Sequence, residues 1–167
     1  MGRIGSRYAE LMRGFGGELL CTSRLAKTEA EEQLGARRTS LEELLRQSDV
    51  VSLHLAAAKE NQHLINRETI SLMKPGAILI NTARGSLVDA EALAAALNDG
   101  RIGAAGLDVF ENEPGVPESL KTAPGCVLTP HIGSATFSAR DAMAVLAARN
   151  VIAVLEGGSP LTPVSLD

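Results

Sequence analysis

The chain has no tryptophan and only four aromatic side chains, Tyr8, Phe15, Phe110 and Phe137. Its core must therefore be aliphatic, and the aromatic platforms on which single-stranded nucleic acid stacks are nearly missing. Cysteine is scarce as well: Cys21 and Cys126 stand alone, with no CxxC and no histidine at metal-ligand spacing. They read as two reduced, buried thiols of a cytosolic protein, with a disulfide as the alternative and no metal site. No apolar run approaches the ~20 residues of a membrane span. Met1–Gly5 lacks the apolar region of a signal peptide, so the expected location is the cytoplasm. Positive charge is not in excess: 16 Lys and Arg against 20 Asp and Glu give a net charge of −4, which argues against nucleic acid and anionic membranes as partners.

What is present is one domain's worth of chain, 167 residues with 45% hydrophobic and 22% charged side chains. Short apolar runs alternate with amphipathic stretches. A helix is predicted from about Ile4 to Phe15, then a strand over Glu18–Thr22. Ser40-Leu41-Glu42-Glu43 reads as a capping box opening a helix to about Gln47. Val50–Leu55 is a predicted strand, and Asn66 caps a helix to about Met73. Ala77–Asn81 is a strand, and Asp89 caps an alanine-rich helix to Leu97. Ile102–Asp108 and Cys126–Thr129 are strands, and a long helix covers about 138–156. Glu111–Gly125, with three prolines, reads as one long irregular stretch. Strand–helix alternation of this kind predicts an α/β fold with a doubly wound parallel sheet, Rossmann-like, over 1–167.

In such a sheet the carboxyl ends of the strands line the ligand crevice. Three predicted strands end in polar segments: Asn81-Thr82-Ala83-Arg84-Gly85, Asp108-Val109-Phe110-Glu111-Asn112-Glu113-Pro114 and Thr129-Pro130-His131-Ile132-Gly133-Ser134. An arginine, carboxylates and a histidine thus converge on one cleft. Gly2-Arg3-Ile4-Gly5 looks like the second half of a G-x-G-x-x-G loop, whose helix N-terminus receives a pyrophosphate; its rival is an ordinary helix start. About 20 residues on, where a carboxylate would hold the adenosine ribose, the chain reads Cys21-Thr22-Ser23-Arg24. A hydroxyl followed by a guanidinium suits a 2′-phosphate, which favours NADP(H), with NAD(H) second.

Together GRIG (2–5), SDVVSLHL (48–55), MKPGAILINTARGSLVD (73–89), GRIGAAGLDVFENEP (100–114) and LTPHIGSAT (128–136) resemble the nucleotide-binding domain of the D-isomer-specific 2-hydroxyacid dehydrogenases, glyoxylate/hydroxypyruvate reductases above all. The closing LEGGSPLTPV (155–164) is similar too. The resemblance implies reduction of a small 2-keto acid to the D-2-hydroxy acid by a nicotinamide cofactor. Arg84 would bind the substrate carboxylate, His131 would serve as general acid and base at the substrate carbonyl, and Glu113 would pair with the imidazole. Asp108 would lie near the nicotinamide. Thr82, His131, Gly133, Leu55 and Ala56 would line the cofactor cleft with Gly2, Arg3, Ile4, Gly5, Ser23 and Arg24. Taken singly, each catalytic residue has a plainer rival: a turn arginine, a solvated loop carboxylate, a strand-end histidine bonded to backbone. His54 and His63 are not assigned to catalysis. His54 stands where the family often has a histidine near the adenine, and His63 reads as a solvated residue before a helix.

Two departures stand out. Ala56-Ala57-Ala58 replaces the family's Pro-Leu-Thr, leaving a smaller adenine wall. The first glycine of the loop, the strand before it and the substrate domain are expected upstream of Met1. The expectation is therefore a chain truncated at the N-terminus, without its first central strand and inactive alone, whose full form is a homodimer. The competing expectations are an NAD(H)-sensing, corepressor-like dimerisation module and a non-functional fragment.

Overall fold

The computed structural model describes residues 2–23 and 28–164, with backbone alone for 28–30. Two compact units result, Met1–Pro130 and His131–Asp167. Helix α1 (Arg3–Met12) opens the first. Gly2, in extended conformation, is its N-cap, and Gly5 and Ala9 form its buried stripe. A single 3₁₀ turn, Arg13–Phe15, follows and is closed by Gly16 at φ 74°. Strand β1 (Leu19–Cys21) then pairs in parallel with β2 (Ala36–Arg38) across helix α2 (Thr28–Leu34). Sequence patterning assigned no element to 24–39. Helix α2 is short and polar, and β2 carries only Ala36 as a buried residue, so neither has a readable period.

The larger sheet is parallel, in the order β3 (Val50–Leu53), β4 (Ile78–Asn81), β5 (Ala104–Leu107), β6 (Cys126–Leu128). The strands are shorter than the apolar runs that announce them, because Leu55, Ala77, Ile102 and Gly103 lie in the adjoining turns. Among the described residues β1 pairs only with β2, and β3 only with β4. The architecture is the expected Rossmann-like α/β fold with all pairs parallel.

Helices α3, α4 and α5 each start at a side-chain cap. Ser40 Oγ accepts from the Glu43 amide at the head of α3 (Leu41–Gln47). Only half of the expected capping box forms there, since the Glu43 carboxylate turns to the Gln47 side-chain amide. The reciprocal box appears instead at α4 (Arg67–Leu72), between Asn66 and Thr69. Asp89 accepts from the Ala92 amide to start α5 (Ala90–Asn98). The stretch read as irregular from Glu111 to Gly125 contains a further helix, α6 (Glu118–Thr122), too short to show periodicity. Arg101 closes α4 from outside, its guanidinium donating to the carbonyls of Ser71 and Met73.

Leu45, Leu53, Ile65, Ile70, Leu79, Leu87, Leu93, Ile102 and Leu120 fill the space between sheet and helices; Phe110 is the one aromatic among them. The second unit is helix α7 (Phe137–Leu155), capped by Thr136 through the Ala139 amide. None of its residues is buried, and Phe137 is 91% exposed. The tail returns to it, as the Asn150 side chain bonds both the amide and the hydroxyl of Thr162.

Leu79 lies in the second strand of the larger sheet with no exposed surface. Leu79→Ala is expected to cost about 2–5 kcal/mol of unfolding free energy, read as a lower urea midpoint.

Candidate functional site

The register of the larger sheet aligns its strand ends. Leu53 faces Asn81, Asn81 faces Leu107, and Leu107 faces Leu128. The next row is therefore His54, Thr82, Asp108 and Thr129. The ladder runs one step further there, with the Asp108 amide on the Asn81 carbonyl at 2.9 Å and the Thr129 amide on the Leu107 carbonyl at 2.9 Å. Thr82 and Arg84, and then Glu113, leave the sheet from this edge, exposed to solvent.

The turn carrying Arg84 is held from below by a residue the sequence reading passed over. Asn81 is 1% exposed. Its Oδ1 accepts from the Ala83 amide at 3.0 Å and its Nδ2 donates to the Arg84 carbonyl at 2.8 Å. An amide suits the position because it offers both an acceptor and a donor; an aspartate would leave the Arg84 carbonyl without its donor, and a leucine would leave both backbone groups without their partner. Arg84 itself is exposed, with Nη1 donating to the Ala83 carbonyl at 2.6 Å. Gly85 meets the backbone after β5 so closely that a Cβ would lie 2.0 Å from the Phe110 carbonyl carbon. Only glycine permits that approach, and it brings the Arg84 turn against the segment leading to Glu113. The Glu113 carboxylate bends back to accept from the Phe110 amide at 3.0 Å.

Asp108 is 5% exposed and accepts from the Thr129 hydroxyl at 2.5 Å, tying the end of β5 to that of β6. His131 begins the second unit, exposed and with left-handed backbone at φ 54°. Gly133 follows in the turn where the Ala135 amide bonds the Ile132 carbonyl.

At the head of α1, Gly2 has open space around it and the first amides of the helix have no partner within it. Arg3 and Ile4 are exposed. Gly5 is buried against His54, where a Cβ would come within 3.2 Å of the His54 Cβ. What Gly5 accommodates is thus the first residue after β3. The His54 ring contacts Tyr8 of α1 at 4.9 Å between centroids and its Nε2 lies 3.0 Å from the Ser52 hydroxyl. Burial pushes its pKa down. Leu55 is half-buried and Ala56 exposed, its carbonyl accepting from Asn61 Nδ2 at 3.2 Å. Ser23 follows β1, while Arg24 lies outside the described residues. A second guanidinium, unremarked in the sequence, reaches this point: Arg38, paired in register with Cys21, donates to the Ser23 carbonyl at 2.9 Å. The signal lay in Ala36-Arg37-Arg38, a strand too brief to recognise.

Both cysteines are free thiols, and Cys126 is half-buried rather than buried. Burial raises both pKa values, with the Glu31 carboxylate adding to the rise at Cys21, so neither thiol is activated. Among the described residues no cluster of His, Cys, Asp and Glu has the make-up of a metal site, and no helix is long and apolar enough to cross a membrane.

The family model for the D-isomer specific 2-hydroxyacid dehydrogenase NAD binding domain matches residues 1–133. The chain is 52% identical over 164 residues to a glyoxylate reductase of Thermococcus onnurineus (strain NA1), covering 98% of this chain and 49% of that one. It is 48% identical over 159 residues to the glyoxylate/hydroxypyruvate reductase B of Enterobacter agglomerans, covering 94% and 49%. Among solved structures, the TT0316 protein from Thermus thermophilus superposes with a TM-score of 0.90 at 48% identity, over 99% of this chain and 51% of that one. A glyoxylate reductase from Paecilomyes thermophila gives 0.87 at 41%, over 98% and 50%. The chain spans about half the length of the curated relatives it matches.

The lowered His54 pKa sets a sign for pH dependence. The folded state resists protonation that the unfolded chain accepts near pH 6.5, so stability is lost as pH falls from that value toward the folded pKa. In melts between pH 7.5 and 5.0, the wild type is expected to lose more melting temperature than His54→Phe.

Proposed function

Since the chain belongs to the D-isomer specific 2-hydroxyacid dehydrogenase family through its NAD-binding domain, we propose that it is the cofactor-binding half of the active site of a cytoplasmic, homodimeric reductase of small 2-keto acids of the glyoxylate or hydroxypyruvate type. The observation that carries this reading is the single row of strand ends from which Arg84 and the Glu113 segment emerge, locked together at Gly85. A bound nicotinamide cofactor supplies or accepts the hydride. The chain's own residues do the rest. The open space over Gly2 and the first amides of α1, which no carbonyl of the helix reaches, suit a pyrophosphate. Thr82, Leu55, Ala56 and Gly133 border the same cleft in this reading, and Asp108 stiffens its floor.

Arg84 presents a planar fork of donors to the substrate carboxylate, orienting the 2-keto group. His131 gives a proton to the carbonyl oxygen during reduction and takes one from the hydroxyl during oxidation. Glu113 accepts from the other imidazole nitrogen in this reading and fixes the ring. Ser23 and Arg38, with Arg24, supply a hydroxyl and positive charge to a 2′-phosphate, which makes NADP(H) the preferred cofactor.

The decisive assay uses protein expressed from the longest reading frame that contains these residues. Glyoxylate, hydroxypyruvate and larger 2-keto acids are offered with NADPH and with NADH. Turnover is expected, and His131→Ala is expected to reduce kcat by about 10²–10⁴-fold. Binding of cofactor without any turnover would instead favour a nucleotide-sensing role. In parallel, fluorescence titrations of Arg38→Ala should weaken NADPH by about tenfold, roughly 1.4 kcal/mol, and leave NADH nearly unchanged. Equal losses for both cofactors would remove Arg38 from the choice between them.

A further inference from the structure

His63 holds a backbone conformation that side chains seldom adopt, φ 49°, in the loop between β3 and α4. Nothing on its own element asks for an imidazole there, since glycine would meet the same conformation without strain. The backbone of His63 is engaged on both sides: its amide donates to the Ser86 carbonyl at 2.8 Å and its carbonyl accepts from Asn66 Nδ2 at 3.0 Å. The ring reaches a different loop altogether. Nε2 lies 3.3 Å from Glu111 Oε2, across 48 positions of sequence.

These contacts fall on a single stack of loops. Residues 63–65 run beside 86–88, where Ile65 and Val88 form an isolated parallel bridge. Gly85, next to Arg84, presses against the Phe110–Glu111 backbone with no room for a Cβ. The Phe110 amide in turn holds the Glu113 carboxylate. The Phe110–Glu111 peptide thus lies against Gly85, next to the loop that carries Arg84, and the His63 ring holds the Glu111 carboxylate beside it.

We infer that His63 is a positioning residue for the proposed reaction: through Glu111 it fixes the 110–113 turn against Gly85 and so sets where the Glu113 carboxylate points. This rests on the reductase reading of Arg84, Glu113 and His131 and extends it to a residue that touches none of the reacting atoms. Both partners of the pair are partly exposed, so its contribution to global stability is small. Its effect is local, on the geometry of one carboxylate, where small displacements weigh heavily on rate.

The test is His63→Gly in the same longest reading-frame product, which removes the imidazole and relieves the left-handed strain together. The melting temperature should not fall. The kcat should fall by about fivefold while KM stays within about twofold, and amide exchange at Phe110 should speed up. Glu111→Ala should match it, the double variant should be no worse than either alone, and Glu111→Gln, which keeps an acceptor, should recover most of the rate. If His63→Gly leaves kcat and Phe110 exchange unchanged in an active enzyme, or if the two losses simply add, the positioning role is overturned while the reductase reading stands. A wild type with no turnover of any 2-keto acid overturns both.

Discussion

Everything at the candidate site depends on parallel register. Four strands of three or four residues end on one line, Leu53, Asn81, Leu107 and Leu128. Because parallel strands advance together, whatever follows each one emerges at the same level of the same edge. The pattern needs no strand to know the others' chemistry. It needs only that each apolar run be in phase, and a slip of one residue on any strand would turn its buried side chains outward and move its polar residue off the line.

Beneath that line the loops are stiffened by buried polar groups rather than by apolar packing. Asn81 closes the turn that presents Arg84, and Asp108 with Thr129 ties the ends of β5 and β6. Above it, Gly85 removes a side chain so that two backbones can meet. These are three different solutions to one requirement, that loops at an open edge hold a fixed shape while their tips stay wet.

The strands and caps of the larger sheet were legible because their signals are local: apolar runs closed by Asn, Asp or Gly, and a hydroxyl, a carboxamide and a carboxylate cap at Ser40, Asn66 and Asp89. The positions of Arg84, Asp108 and Glu113 after the strands were legible for the same reason, since each follows such a run. What stayed hidden is held by distant partners. Strand β2 takes its identity from pairing with β1, and helix α2 is too short and polar to show a period. Asn81 read as the tail of a strand, though its value lies in the two backbone groups it satisfies. His63 looked like a solvated residue because Glu111 is far away in sequence, and the Glu43 carboxylate pairs one turn on, with the Gln47 side chain, rather than with the expected box.

Helix α7 carries Met143, Val145, Leu146, Val151, Ile152, Val154 and Leu155 exposed to solvent. At about 100° per residue these side chains point around the whole circumference rather than along one stripe. A flat surface laid against the helix would dry only a fraction of them. Any environment that removes this apolar area from water must therefore be concave and must enclose the helix from several directions at once, as a socket takes a peg.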